Sequence, residues 1–180
     1  GVPLADCSSK ARGTLLTAVV REMDARLHPG AVIEDAEAGT CVDGSRRAQN
    51  QAPYDWQRDG RRVACKSAQL TWAASTRYWK LQFSKVKLGG EDEEAAFDEL
   101  LLVAYTPRGL YVHRHGGRLG VSTAGKTTAA TGSHIVVGGP IDEAEWSAAL
   151  DDAVLPKLEE GGCKRLAFVP FDDPRFLAAP

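Results

Sequence analysis

The sequence has no hydrophobic run as long as a membrane span and no charged segment followed by an apolar one, so it predicts neither a transmembrane helix nor a signal peptide. It also lacks a strong excess of charge, because 22 Lys and Arg residues against 24 Asp and Glu residues leave a net charge of −2. This balance excludes a basic field over the whole surface. We expect an intracellular protein in which any binding of a polyanion depends on local basic clusters.

Closely spaced cysteine pairs are also missing. The four cysteines are scattered and none forms a C-x-x-C pair, so the sequence predicts no zinc site and favours reduced, mostly buried thiols. With 180 residues, 43% of them hydrophobic, the chain suits one globular domain with a sizeable core. Because it starts at Gly1 and not at Met, we expect residues 1–180 to be a single domain excised from a longer protein.

The hydrophobic pattern predicts a mixture of helices and strands. Apolar residues recur at helical spacing over residues 13–27, and a second helix is predicted over residues 142–158, where Pro156 should kink or shorten it. The continuous apolar run at residues 100–105 is typical of a strand buried on both faces. The remaining predictions are strands at residues 77–86, 110–114, 135–137 and 166–169, and loops at residues 34–51 and 116–133. This order favours one α/β domain with a mixed central sheet.

Residues 54–66 predict a β-hairpin with a defined register. Asp59 and Gly60 are typical of a two-residue type I′ turn, in which both residues need a positive φ. Such a turn sets Asp55 opposite Ala64, with Cβ atoms about 4.5–5.5 Å apart, and alternation puts Lys66 on the same strand face as Ala64. The turn also pairs Arg58 with Arg61, Gln57 with Arg62 and Trp56 with Val63, and directs Val63 and Cys65 to the core.

This arrangement resembles the signature of the PD-(D/E)xK nuclease superfamily, in which an Asp is followed by a hairpin and an acidic-x-Lys motif. The sequence offers Pro53-Tyr54-Asp55 and then Ala64-Cys65-Lys66. The resemblance covers roughly residues 13–115 and includes the preceding amphipathic helix. It implies a restriction-endonuclease-like α/β core, with a mixed central sheet flanked by helices. It also implies an Mg²⁺- or Mn²⁺-dependent endonuclease that hydrolyses phosphodiester bonds of DNA, expected to be double-stranded.

The resemblance further implies roles for individual residues. Asp55 and a carboxylate at position 64 would bind the metal, the backbone carbonyl of Cys65 would be another ligand, and Lys66 would be the catalytic lysine. Glu22 would correspond to the helix carboxylate that some members use. Many members dimerise to cut both strands, so the resemblance leaves a homodimer open.

The chain departs from the motif at Ala64, where the superfamily has Asp or Glu. Three explanations stay open: an acidic residue replaced to trap a nuclease on uncut DNA, a natural pseudo-nuclease, or a site completed by Glu22. We favour the first, because the rest of the motif is intact. The simpler alternative is that Asp55 is a surface residue near a turn and Lys66 an ordinary strand lysine.

Several polar residues are candidate DNA contacts. The loop before Asp55 carries side chains suited to phosphates and base edges, because Arg reads guanine while Asn and Gln read adenine; a merely solvated loop is the alternative. Gln69, just past the lysine, is assigned to the catalytic site. The assigned DNA contacts are Arg46, Arg47, Gln49, Asn50, Gln51, Ser67, His113, Arg114 and Lys126.

Two other patterns suggest ligands. Residues 120–127 match the Walker A spelling GxxxxGK[ST], but the following residues leave little room for the helix whose N-terminus would hold the phosphates. His113 and His115 have the spacing of a metal pair but lack a third ligand nearby, which favours a surface or DNA-contact role. The alternatives to a nuclease are therefore a non-catalytic DNA-binding module and, less favoured, an NTP-binding protein.

Overall fold

The computed structural model describes residues 4, 6–36, 54–86, 97–116, 134–139 and 146–172. These residues form two helices and nine strands. In chain order they are α1 (Ser9–Leu27), β1 (Ile33–Asp35), β2 (Trp56–Arg58), β3 (Arg61–Gln69), β4 (Thr71–Ala73), β5 (Tyr78–Ser84), β6 (Glu99–Tyr105), β7 (Gly109–Arg114), β8 (His134–Gly139), α2 (Ala149–Glu160) and β9 (Lys164–Pro170). Neither described helix is long and apolar enough to cross a bilayer.

The main sheet has six strands in the order β1-β2-β3-β6-β7-β9. β3 and β6 run parallel, and all other neighbours are antiparallel. A parallel pair needs a crossover connection, and here that connection contains β4 and β5, which pair with β8 in a second sheet. The expectation of an α/β domain with a mixed sheet is confirmed.

Two apolar clusters cover the two faces of the main sheet. Successive side chains of β6 divide between them, because neighbouring residues of a strand point to opposite faces. Leu101 packs with Leu16 and Val20 of α1, whereas Leu100 and Leu102 pack with α2 and the small sheet. Every residue of β6 is buried, as its continuous apolar run predicts.

The helix boundaries differ from those predicted by periodicity. α1 begins at Ser9 and not at Gly13, because the Ser8 hydroxyl caps its first turn by accepting from the Ala11 N–H at 3.2 Å. α2 begins at Ala149, and the predicted start at residue 142 lies outside the described residues. The helix continues through Pro156, so the predicted shortening does not occur; its apolar side is buried on both sides of the proline, at Leu150, Val154, Leu155 and Leu158.

A buried ionic network joins α1, the hairpin and β6. Arg58 of β2 forms ion pairs with Asp24 of α1 and with Glu99 of β6, the latter at 2.5 Å. Asp24 also accepts a hydrogen bond from Trp56 Nε1 at 2.8 Å. All three charged residues are buried. Burial opposes the charge of Arg58, but the two carboxylates outweigh it and hold the pKa of the guanidinium above its ordinary value.

Removal of Arg58 should destabilise the fold strongly, because it takes the shared guanidinium away from two buried carboxylates. We expect Arg58→Ala to lower the free energy of unfolding by about 3–5 kcal/mol. Arg26→Ala is the matched control, because Arg26 pairs with Glu22 at the surface, where such a pair contributes roughly 0–1 kcal/mol. Urea unfolding followed by tryptophan fluorescence measures both variants. Equal losses in the two would contradict a structural role for the network.

Candidate nucleic-acid interface

The hairpin formed by β2 and β3 has the predicted turn and register. Asp59 and Gly60 have φ values of 49° and 76°, as a type I′ turn requires. The pairs are Arg58 with Arg61, Gln57 with Arg62 and Trp56 with Val63. The sequence prediction is confirmed for these three pairs. The fourth predicted pair, Asp55 with Ala64, is not part of the ladder, because the Asp55 N–H bonds the carbonyl of Val63, the residue that faces Trp56.

Asp55 extends the hairpin by one residue beyond β2. Its backbone N–H donates to the Val63 carbonyl at 2.8 Å, and its Oδ2 accepts from the Cys65 N–H at 2.7 Å. The carboxylate thus occupies the place that a backbone carbonyl would have in a longer strand. Asp55 is exposed, so a charged group is held at the surface beside position 64, with one oxygen already committed to the backbone.

Ala64 lies in the core and not at the surface. It is 0% exposed and packs in the cluster that contains Leu100 and Leu102. Lys66 is half-buried and lies on the same side of β3 by alternation. An acidic side chain at position 64 would therefore start inside an apolar cluster and would have to reach towards Asp55 to meet water or a metal.

The described residues do not fit a magnesium site. No group of three or more His, Cys, Asp or Glu side chains among them is placed to hold a metal ion. One oxygen of Asp55, the carboxylate at the hairpin, is taken by the Cys65 N–H. Burial, and secondarily the charge of Asp55, raises the pKa of the Cys65 thiol to about 12. The thiol is therefore protonated at neutral pH. The ligand that the resemblance implies is the backbone carbonyl of Cys65, and that assignment stays a prediction.

Glu22 is not directed towards the hairpin. It lies on the exposed side of α1, where its Oε1 pairs with Arg26 Nη2 at 3.1 Å. The helix carboxylate that reaches the hairpin is Asp24, which bonds Trp56 and Arg58. Helical residues two positions apart point about 200° apart. Only one of the two carboxylates can therefore face the sheet, and it is Asp24; a catalytic role of Glu22 stays a prediction.

Beyond Asp55 one edge of β3, named here the open edge, has no partner strand among the described residues. β2 pairs only with residues 61–63 of β3, so among the described residues no strand covers the rest of that edge. The Cys65 N–H points to this edge, where it meets Asp55. Backbone groups alternate in direction along a strand, so the N–H groups of Ser67 and Gln69 point the same way.

The open edge is the floor of a polar cleft with a volume of about 410 Å³. The N-terminal half of α1 forms one wall, and the face of β4 and β5 opposite to their core side forms the other. The lining consists of Ser9, Arg12, Gly13 and Leu16 from α1, Ser67, Ala68 and Gln69 from β3, and Thr71, Lys80, Gln82 and Ser84 from the opposite wall. None of these lining residues is acidic, although the whole chain has a net charge of −2.

Arg12 fixes the helical wall to the floor of the cleft. Its Nη1 donates to Gln69 Oε1, its Nη2 to the Cys7 carbonyl at 2.9 Å, and its Nε to the Leu4 carbonyl at 3.2 Å. Its guanidinium also lies 5.2 Å from the centroid of the Tyr105 ring. The hydrogen-bonding groups of Arg12 thus position α1, while its charge contributes to the potential of the cleft.

Lys80 brings a second positive charge from the opposite wall. Its strand alternates buried and half-buried residues, so the side chain lies on the cleft side of β5. Its Nζ donates to Gln82 Oε1 at 2.9 Å. An ammonium carries three donors, so Lys80 can hold Gln82 and an anionic ligand at once. The cleft therefore combines two cations with hydroxyl and amide groups, which suits a phosphate-bearing ligand.

The predicted DNA contacts have different outcomes. Ser67 lies in the cleft floor, together with the predicted site residue Gln69. Arg114 is exposed at the end of β7, and its role stays a prediction. His113 is 0% exposed and cannot touch DNA; it lies in a central strand, between β6 and β9, whose two faces are covered. Six further predicted contacts lie outside the described residues: Arg46, Arg47, Gln49, Asn50, Gln51 and Lys126.

Two charged residues that shape this region were not predicted from the sequence. Arg12 and Asp24 lie on the buried stripe of α1 with Leu16 and Val20, each four positions from the next. A charge that continues an apolar stripe at this spacing faces the sheet. That spacing is visible in the sequence. The residues that Arg12 and Asp24 bond cannot be read from it, because they belong to distant strands.

The buried histidine predicts a pH dependence of stability. Burial lowers the pKa of His113 below its ordinary value of 6.5, although Glu159, 3.7 Å from Nε2, opposes this. Below about pH 6.5 the unfolded chain binds a proton that the folded chain does not, so stability falls as the pH falls, with a limiting slope of about 1.4 kcal/mol per pH unit. We expect the free energy of unfolding of His113→Gln, measured by urea titration, to fall less than that of the parent chain between neutral and mildly acidic pH. Parallel curves for the two proteins would contradict this.

Comparison with known proteins gave no match to a protein-family model, to a curated protein or to a solved structure. The function of the chain must therefore be inferred from the chemistry of the hairpin and the cleft.

Proposed function

We propose that this chain is a DNA-binding nuclease domain of the PD-(D/E)xK type, with a restriction-endonuclease-like fold, that cannot cut in its present form because position 64 is Ala. The observation that carries the proposal lies at the end of the hairpin, where the Asp55 carboxylate accepts a hydrogen bond from the Cys65 N–H, one residue before Lys66. This is the spacing that the superfamily motif requires. The mixed sheet and the preceding helix α1 are compatible with it.

The cleft is a candidate binding site for the DNA substrate. Ser67 and Gln69 follow Lys66 directly on β3 and lie in the cleft floor, so a phosphate backbone bound there would run towards Asp55. With a carboxylate at position 64, the hairpin would present two acidic groups, which is the kind of ligand set that Mg²⁺ takes in phosphoryl-transfer sites. The present chain offers one.

A non-catalytic DNA-binding module is the alternative function. The burial of Ala64 among Leu100 and Leu102 favours it, because a methyl group fits an apolar cluster as a native residue would. This alternative predicts DNA binding that does not respond to Mg²⁺ or to the loss of Asp55. The nucleotide-binding alternative depends on residues 120–127, which lie outside the described residues.

Restoring an acid at position 64 should restore cutting. We expect Ala64→Glu, but not the parent chain, to cleave a mixture of DNA substrates in the presence of Mg²⁺ or Mn²⁺. Ala64→Gln is the matched control, because it adds the same volume without the charge. Both variants crowd the core, at a cost of about 1–3 kcal/mol, so the Tm of each is measured with and without Mg²⁺.

Cutting by the Glu variant alone, with a Tm that Mg²⁺ raises, is the outcome expected. Failure of the folded Glu variant to cut any DNA, together with a Tm that ignores Mg²⁺, would remove the nuclease proposal. DNA binding by the parent chain, compared with Asp55→Asn, then decides whether the binding module replaces it.

A further inference from the structure

The cleft beside Asp55 has the shape of a channel for one strand. α1 and the β4–β5 hairpin stand on either side of the open β3 edge, so a ligand must enter between two walls. α1 approaches β3 closely at Gly13, where an added Cβ would lie 3.6 Å from Ser67 Oγ. A cleft of about 410 Å³ between two walls suits one extended strand better than a double helix, which presents two backbones on a wide convex surface.

The lining groups fit a sugar-phosphate backbone. Hydroxyls of Ser9, Ser67, Thr71 and Ser84 and the amide of Gln82 line the cleft, and groups of this kind make most contacts to phosphate and sugar oxygens. No aromatic ring is among the described residues that line it, so the cleft lacks a stacking platform for bases. The lining therefore favours the backbone over the bases.

The charge distribution points to the same ligand. The cleft carries the charges of Arg12 and Lys80 and no described acid, within a chain of net charge −2. Duplex DNA carries one charge per roughly 1.7 Å of its axis, whereas a single strand carries one per roughly 3.4 Å. A short basic channel on a weakly acidic protein is better matched to the single strand, because the remaining surface repels it less.

We propose that this cleft binds the phosphodiester backbone of a single DNA strand along the β3 edge towards Asp55, so that the preferred ligand has an unpaired segment and is not an intact duplex. The inference rests on the proposed function for the choice of DNA. It departs from the superfamily resemblance, which favours double-stranded DNA.

The test is fluorescence anisotropy with the full chain and three labelled probes. These are a poly-dT strand of about 20 nucleotides, longer than the roughly 4–16 nucleotides that a single-strand-binding domain covers, a blunt duplex of similar length, and that duplex with a poly-dT tail. We expect the strand and the tailed duplex to bind at least about tenfold more tightly than the blunt duplex, a difference of about 1.4 kcal/mol.

Gly13 allows the cleft to be blocked without a change in charge. Gly13→Leu places a side chain over Ser67 in the channel and should weaken binding of the strand at least about tenfold, equal to about 1.4 kcal/mol. Gly13→Ala is the matched control, because its Cβ makes only an ordinary contact with Ser67 and Ala suits a helix better than Gly. Circular dichroism and thermal melting of both variants check that α1 stays folded.

A second variant pair tests the charge independently. Each phosphate contact on a single strand adds about −0.7 to the slope of log affinity against log salt. Lys80→Gln should make that slope shallower by about 0.7, the value for one such contact. Lys164→Gln, the same change at an exposed position at the start of β9, should leave the slope unchanged.

The outcomes separate this inference from the proposed function. Equal affinity for blunt duplex and single strand would overturn the single-strand inference and leave a DNA-binding nuclease domain standing. Binding of the strand that neither Gly13→Leu nor Lys80→Gln weakens would overturn the cleft as the site. Failure to bind any of the three probes would count against both proposals.

Discussion

The ion pairs of Arg58 are the interaction on which the rest of the architecture depends. The guanidinium of Arg58 forms ion pairs with Asp24 of α1 and Glu99 of β6, and the backbone of Arg58 belongs to the hairpin. A helix, an antiparallel hairpin and the parallel strand pair are therefore held in one relative geometry. A buried network of this kind adds little net stability over an apolar core, but removal of one partner is costly. Its main consequence here is to select one position of α1 over the sheet.

The other end of α1 is fixed in the same way. Arg12 lies twelve residues before Asp24 on the same helical stripe, and it bonds Gln69 at the far end of β3. α1 is thus attached to the hairpin through Asp24 and to the cleft floor through Arg12. Binding groups that are already held in place lose less conformational entropy when a ligand arrives. The polar cleft is preorganised by the contacts that orient the helix.

The features that the sequence predicts correctly are local. Asp59 and Gly60 determine the turn, and the turn determines the register of the hairpin; the apolar run at residues 100–105 determines a strand buried on both faces. The cleft could not be predicted, because its walls come from α1 and β5 and its floor from the edge that β2 leaves open. The sequence suggested Glu22 as the helix carboxylate and did not single out Asp24, the carboxylate that faces the sheet. The burial of His113 could not be predicted, because the covering of β7 by α2 and β9 depends on long-range pairing.

If the proposed function holds, the residue at position 64 favours either stability or activity. A methyl group there completes an apolar cluster with no exposed area, so the alanine chain is expected to be the more stable form. A carboxylate would lose hydration unless it reached a cation or water beside Asp55, and a divalent ion would offset that loss only when it is bound. A chain with a catalytic carboxylate at position 64 should therefore be stabilised by a bound divalent ion. A binding module with Ala64 should be equally stable with and without the ion. The dependence of stability on a divalent ion therefore distinguishes a nuclease from a binding module.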